Sequence, residues 1–165
     1  MLTKIPYACY LMGTVDEDPA YAAECQALIK ELGIEAQVHV LGQVNIKDWL
    51  PKLDVLVLSS ISEGQPLAVL EGMAAGIPWV CTDVGACREL LYGASDDFGQ
   101  AGFVVRPVDP SAIAAHLAWY YRHPEAMKLM GQNGARRARR YYQLDTVAQA
   151  YAAKYAKGRV INGGA

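Results

Sequence analysis

The sequence predicts an α/β domain on a Rossmann-like parallel sheet, and three observations predict it. Short apolar runs recur at residues 7–12, 37–41, 55–59, 79–82 and 103–106. They are continuous rather than alternating, the pattern of strands covered on both faces. Segments with helical periodicity separate them, and strand–helix alternation builds a parallel sheet whose crossovers are right-handed and whose ligand site lies beyond the carboxyl ends of the strands.

The elements follow in order. After the first run, Asp18 and Pro19 open a helix over 20–32 that stops at Gly33, a residue suited to the position after a helix end. A shorter helix is predicted over 46–53, before the strongest strand, VLVLS at 55–59. Pro66 then opens a helix that Gly76 and Pro78 close. Beyond Pro107 the pattern is helix alone, over 111–122, 125–142 and 144–157, with DPSA at 109–112 and HPE at 123–125 marking two of the starts. One compact domain over 1–157 with a loose glycine-rich tail over 158–165 is the expected organisation.

Composition narrows the function classes. At 165 residues with 53% hydrophobic and 19% charged, the chain fills a core, which excludes disorder. A net charge of −2 argues against a general nucleic-acid binder. The long nearly uncharged stretch 64–82 is interrupted by Pro66, Gly72, Gly76 and Pro78, so it is no membrane span, and the amino-terminal residues lack a cleavage-site pattern. A cytoplasmic protein is expected. Cys9, Cys25, Cys81 and Cys87 form no C-x-x-C pair, and His39, His116 and His123 share no spacing, so no metal site is legible. Both sets read as core or packing residues.

Chemistry concentrates in SSISEGQPLAVLEGMAAGIP, residues 59–78. Glu63 ends the loop after the central strand, and Gly64 permits a turn or close approach of a ligand. The helix starting near Pro66 offers amides at Leu67 and Ala68 and a partial positive charge, a setting that suits a phosphate without any metal. Glu71 is the only charge between Gly64 and Thr82, and a carboxylate in so apolar a segment calls for a partner. Two readings stay open on spacing alone. The acids belong to a polar loop and a backbone-bonded helix, or, with a nucleotide's diphosphate at the helix start, one accepts bonds from the ribose hydroxyls and the other lies near the attached group.

The EGQPLAVLE segment, with Glu63 and Glu71 in an E-x7-E arrangement, resembles the retaining family 4 glycosyltransferases of GT-B fold. LGQV at 41–44, the DVLVLSS strand, AAGIPWV, VGACREL at 84–90 and GFVVRPVDPSAIAAHL extend the resemblance over nearly the whole chain. It implies the carboxy-terminal, donor-binding half of such an enzyme, taking a nucleotide sugar, a UDP-sugar, for bacterial exopolysaccharide synthesis. By the same resemblance Glu71 binds the ribose and Glu63 contacts the donor sugar as the catalytic residue. Gly64, Gln65, Pro66, Leu67 and Ala68 meet sugar or diphosphate, and Val44 lies near the base. No metal or other cofactor is implied. The implied partners are an amino-terminal acceptor domain and membrane-associated polysaccharide synthesis proteins.

Two departures accompany the resemblance. No G-R-x-x-x-x-K-G clamp precedes Tyr7, which implies truncation, and GTVDEDP at 13–19 replaces the family's glycine-rich turn. A second class of function is a noncatalytic nucleotide-sugar-binding or assembly module using the same residues. Arg136, Arg137, Arg139 and Arg140 beside Tyr141 and Tyr142 read either as a solvated helix end or as a surface for anionic lipid or protein.

Overall fold

In the computed structural model residues 5–94 and 96–161 are described, the last five of them by backbone alone. The chain divides into two compact units, Met1–Pro51 and Lys52–Ala165, where one domain was expected. Both are built from parallel strands and helices, as the strand–helix alternation predicts.

In the amino-terminal unit, β1 (Cys9–Met12) and β2 (Val38–Gly42) pair in parallel, with a register shift between Leu11 and Met12. Between them runs α1 (Pro19–Glu31), whose start is capped by Asp18: its Oδ1 accepts the Tyr21 N–H at 3.0 Å. The predicted helix over 46–53 is instead α2 (Ile46–Trp49) followed by a 3-10 turn at Leu50–Lys52. Pro51 lacks the N–H that an α ladder needs there. These strands are not covered on both faces, since Leu11 is 42% and Val40 37% exposed. Tyr10 packs on His39 and Trp49, with ring centroids 5.3 and 4.9 Å apart, so His39 serves packing.

The carboxy-terminal unit holds β3 (Leu56–Leu58), β4 (Trp79–Thr82) and β5 (Gly102–Val105), all parallel, with β4 central. Only β4 is buried along its whole length, so the double coverage expected of every strand holds at the middle of this sheet alone. Its residues alternate between two cores. Trp79 and Cys81 join Val69 and Met73 of α3 (Leu67–Ala74), Leu90 and Leu91 of α4 (Cys87–Tyr92) and Ala138 of α6 (Pro124–Tyr141). Val80 joins Val105 and Tyr120 of α5 (Pro110–Arg122). Gly72 allows α3 this close to β4, because a Cβ there would lie 2.4 Å from Leu56 Cδ1 and 2.6 Å from Trp79 Nε1.

Among the cysteines, Cys81 and Cys87 are buried and Cys9 and Cys25 half-buried, all of them free thiols. His116 stacks on Phe103 at 4.1 Å, and burial lowers its pKa. His123 stacks on Trp119 at 4.2 Å. The last helix, α7 (Leu144–Ile161), continues past the expected end near Lys157, so Gly158 to Ile161 are helical rather than loose, and residues 162–165 lie outside the described residues.

The basic cluster is not one surface. Arg136, Arg139 and Arg140 are exposed, whereas Arg137 is 1% exposed and ties α6 to the segment between α4 and β5. Its guanidinium donates to both Asp96 carboxylate oxygens at 2.7 Å and to the carbonyls of Leu90, Leu91 and Gly99. Hydrogen bonding to Arg137 holds the Asp96 carboxyl below its usual range.

Candidate functional site

Seven of the eight residues singled out from the sequence lie on one continuous stretch of the carboxy-terminal unit, the turn from β3 into α3 and the first turns of that helix. Val44 lies in the amino-terminal unit, half-buried in the loop between β2 and Asn45, the residue that caps α2.

Pro66 occupies the position before the helix, with φ −70° and ψ 115°, and supplies no side-chain cap. α3 therefore begins at Leu67 with its first amides uncapped, as the sequence predicts, and its dipole directs positive charge at the turn. Gly64, Gln65, Leu67 and Ala68 are exposed while Pro66 is buried and anchors the turn. Leu67 is 70% exposed at the mouth of the turn. Glu63 is half-buried.

Two expectations change. Glu71 is exposed on α3, one helical turn beyond Leu67, so its carboxylate remains hydrated and needs no partner within the chain. Gly64 is not among the glycines of positive φ, and a Cβ there would meet nothing within 4 Å. The turn itself does not require glycine at this position; what Gly64 leaves is open space above the helix start.

The residues that shape the turn come from the end of β4 and the loop after it, and the local pattern did not reveal them. Thr82, 1% exposed, donates its hydroxyl to the Ser60 carbonyl at 2.6 Å. The Ala86 N–H donates to the Gly64 carbonyl at 2.8 Å. Gly85 adopts φ +50° with the Glu63–Gly64 backbone against it. The available signal was a second strand ending in a glycine turn, TDVGA after β4, parallel to the SEG turn after β3. On the rim, Asp83 and Arg88 form an ion pair, and the Arg88 guanidinium lies 5.6 Å from the Tyr92 ring centroid. Behind the rim Cys81 hydrogen-bonds with Cys87, which together with burial pushes the Cys81 thiol well up and keeps it protonated.

The arrangement is an open shelf. Two cavities of about 290 and 220 Å³ occur elsewhere, one at Leu70, Ala74 and Arg139, the other at Asp96, Arg137 and Tyr142, and the 59–66 turn lines neither. Among the described residues no three His, Cys, Asp or Glu side chains are grouped to hold a metal ion. Nor, among the same residues, is any helix long and apolar enough to cross a membrane. Chemically the shelf offers uncapped amides, a helix dipole and two carboxylates, a set that accepts an anion flanked by hydroxyl groups.

Comparison with known proteins places the chain in a family. The model of the family described as "Glycosyl transferases group 1" matches residues 3–123. A putative glycosyltransferase EpsD of Bacillus subtilis is 35% identical over 125 residues, 75% of this chain and 32% of that protein. The lipopolysaccharide core biosynthesis mannosyltransferase LpsB of Rhizobium meliloti is 31% identical over 137 residues, 82% of this chain and 38% of that one. The chain thus spans about a third of the length of these relatives. Among solved structures, Anabaena Alr3699/HepE in complex with UDP superposes with a TM-score of 0.82 at 21% identity, over 92% of this chain and 41% of that chain.

Proposed function

The chain belongs to the group 1 glycosyl transferases, with the α/β fold of the carboxy-terminal domain of a GT-B enzyme, and on that premise we propose that it binds a nucleotide sugar, a UDP-sugar, at the turn between β3 and α3. One observation carries the proposal: α3 begins without a side-chain cap beside an open turn, with Glu63 before it and Glu71 exposed one turn along it. The diphosphate lies against the amides of Leu67 and Ala68 and the turn at Gly64, Gln65 and Pro66, where the helix dipole offsets its charge. Glu71 accepts hydrogen bonds from the ribose hydroxyls, and Glu63 from the donor sugar. A role for Val44 at the base rests on the resemblance alone. That the structures of Anabaena HepE hold UDP and UDP-glucose supports the choice of nucleotide.

The reaction we assign is retaining transfer of family 4 type. The bond from the anomeric carbon to the diphosphate oxygen breaks, the acceptor hydroxyl bonds to the same face, and its proton passes to the departing diphosphate. The protein's part is positioning and charge stabilisation, without a metal or other cofactor. An acceptor-binding domain outside this chain completes the cleft, so the chain alone transfers no sugar over multiple turnovers. The finer resemblance of SEGQPLAVLEGMAAGIP and CTDVGACRELLYG is to the cytosolic glycosyltransferase of Pel exopolysaccharide synthesis, which supports a role in a bacterial exopolysaccharide pathway at the cytoplasmic face of the membrane.

Calorimetric titration of the chain with UDP, with magnesium and with EDTA, tests the reading. Binding in the roughly millimolar to high micromolar range, equal in both conditions, is expected. Strict dependence on magnesium, or no binding, contradicts it.

A further inference from the structure

We propose that Gly85 is a positioning residue for Glu63, acting through the backbone of the turn rather than through any contact with ligand; the inference rests on the donor-binding reading of that turn. A Cβ at Gly85 would lie 2.0 Å from the Gly64 carbonyl oxygen, 2.5 Å from that of Glu63 and 2.9 Å from the Glu63 carbonyl carbon. All three are backbone atoms, so no side-chain rotation relieves the clash. The position also has φ +50°, which L side chains rarely adopt. Adjacent to it, the Ala86 N–H holds the Gly64 carbonyl at 2.8 Å, and Thr82 holds the Ser60 carbonyl at 2.6 Å.

The turn is thus tied near both its ends to one short segment, and Gly85 is the point at which that segment touches the Glu63 backbone. Glu63 immediately precedes Gly64, so a shift of the backbone that Gly85 touches carries the Glu63 side chain with it, away from its electrostatic neighbour Cys87. Glu71 is placed differently, by the helical geometry of α3, and does not depend on Gly85. A displaced turn therefore costs the contact to the donor sugar and spares the contact to the ribose. A residue that merely stabilised the fold would affect both alike.

The test uses the whole chain with Gly85→Ala and, as a second variant against loss of the fold, the isosteric Thr82→Val, which removes the hydroxyl bonds to the carbonyls of Ser60 and Leu58. Two readouts are taken, the ligand-free backbone amide resonances and calorimetric affinities for UDP and UDP-glucose. For Gly85→Ala the amides of Glu63, Gly64 and Gln65 move while those of α5 and α6 stay, and affinity falls about tenfold for UDP-glucose but less than about twofold for UDP. Thr82→Val shows the same selectivity with smaller size, and decides the matter if Gly85→Ala is unfolded. Unmoved turn amides, or equal loss for both ligands, overturn the proposal. If the parent chain binds neither ligand, the donor-binding reading falls and the amide resonances alone judge whether Gly85 places Glu63: movement confined to the turn supports it, no movement refutes it.

Discussion

Two stretches of the carboxy-terminal unit lie beside the same sheet and treat their polar groups in opposite ways. In the stretch from Gly93 to Ala112 the carboxylates of Asp96 and Asp109 both find partners within the chain. Asp96 is paired with buried Arg137, and Asp109 caps α5 by accepting the Ala112 N–H at 2.9 Å. In the stretch from Ser59 to Ala68 it is the helix start that stays open: Pro66 stands where a capping side chain would, and Glu63 precedes the glycine rather than capping the helix. Asp-Pro opens both α1 and α5, and both are capped, whereas Gln-Pro opens α3 and leaves it uncapped. In α1 and α5 the proline is the first helical residue and the aspartate before it caps, whereas in α3 the proline itself takes the capping position and leaves the start open to an external anion. Changes to the closed stretch should therefore cost stability, and changes to the open one should cost binding.

The largest expected effect lies in the closed stretch. Arg137→Ala leaves the buried Asp96 carboxylate without its cation, and urea denaturation should show a loss of about 3 to 5 kcal/mol. The same pair sets an acid limb. Hydrogen bonding to Arg137 depresses the folded-state pKa of Asp96, so its contribution is complete above the unfolded value, about 3.9, and is lost as pH falls through the lower folded value. Asp96→Asn should flatten that limb in a comparison of stability between pH 5 and pH 2. An unchanged acid limb would mean that the pair carries none of the pH dependence.

Removing the cap of α5 is a smaller perturbation of the same kind. Asp109→Ala should lower stability by about 1 kcal/mol and leave UDP binding where it was. The smallest effect comes from closing the open start: Pro66→Ser places a capping hydroxyl before α3 and should leave stability within about 1 kcal/mol of the parent. Its UDP affinity should fall about two- to fivefold, because the hydroxyl competes with the phosphate for the first amides. If Asp109→Ala weakens UDP as much as Pro66→Ser does, the contrast between the two stretches fails.

Much of this was legible from local pattern, and what was missed shares a physical cause. The strands at Val38–Gly42, Leu56–Leu58, Trp79–Thr82 and Gly102–Val105 fall within one or two residues of the apolar runs, and the Asp-Pro starts became the capped starts of α1 and α5. α4 was not read as a helix, because its six residues follow Ala86, which offers no side-chain cap. Arg137 looked like one member of a surface cluster, since its partner Asp96 stands 41 residues earlier and the pairing exists only after folding. For the site, the uncapped start of α3 could be read from Pro66. Gly64 was read as permitting a turn or a close approach of a ligand, whereas the glycine the structure requires is Gly85, where the Glu63–Gly64 backbone crosses from a different strand connection. A partner for Glu71 was expected from its apolar sequence neighbours, but on a helix those neighbours occupy other faces, and Glu71 lies on the exposed one.

The account's central claim is that the open start of α3 holds a nucleotide sugar with its two glutamates dividing the ligand. Calorimetry of Glu71→Gln and Glu63→Gln with UDP and UDP-glucose, after matched thermal unfolding shows both variants folded, tests it most directly. The account predicts that Glu71→Gln weakens both ligands alike, by about 1 to 3 kcal/mol, whereas Glu63→Gln leaves UDP unchanged and weakens only UDP-glucose. Loss of UDP binding in Glu63→Gln with full retention in Glu71→Gln would contradict it.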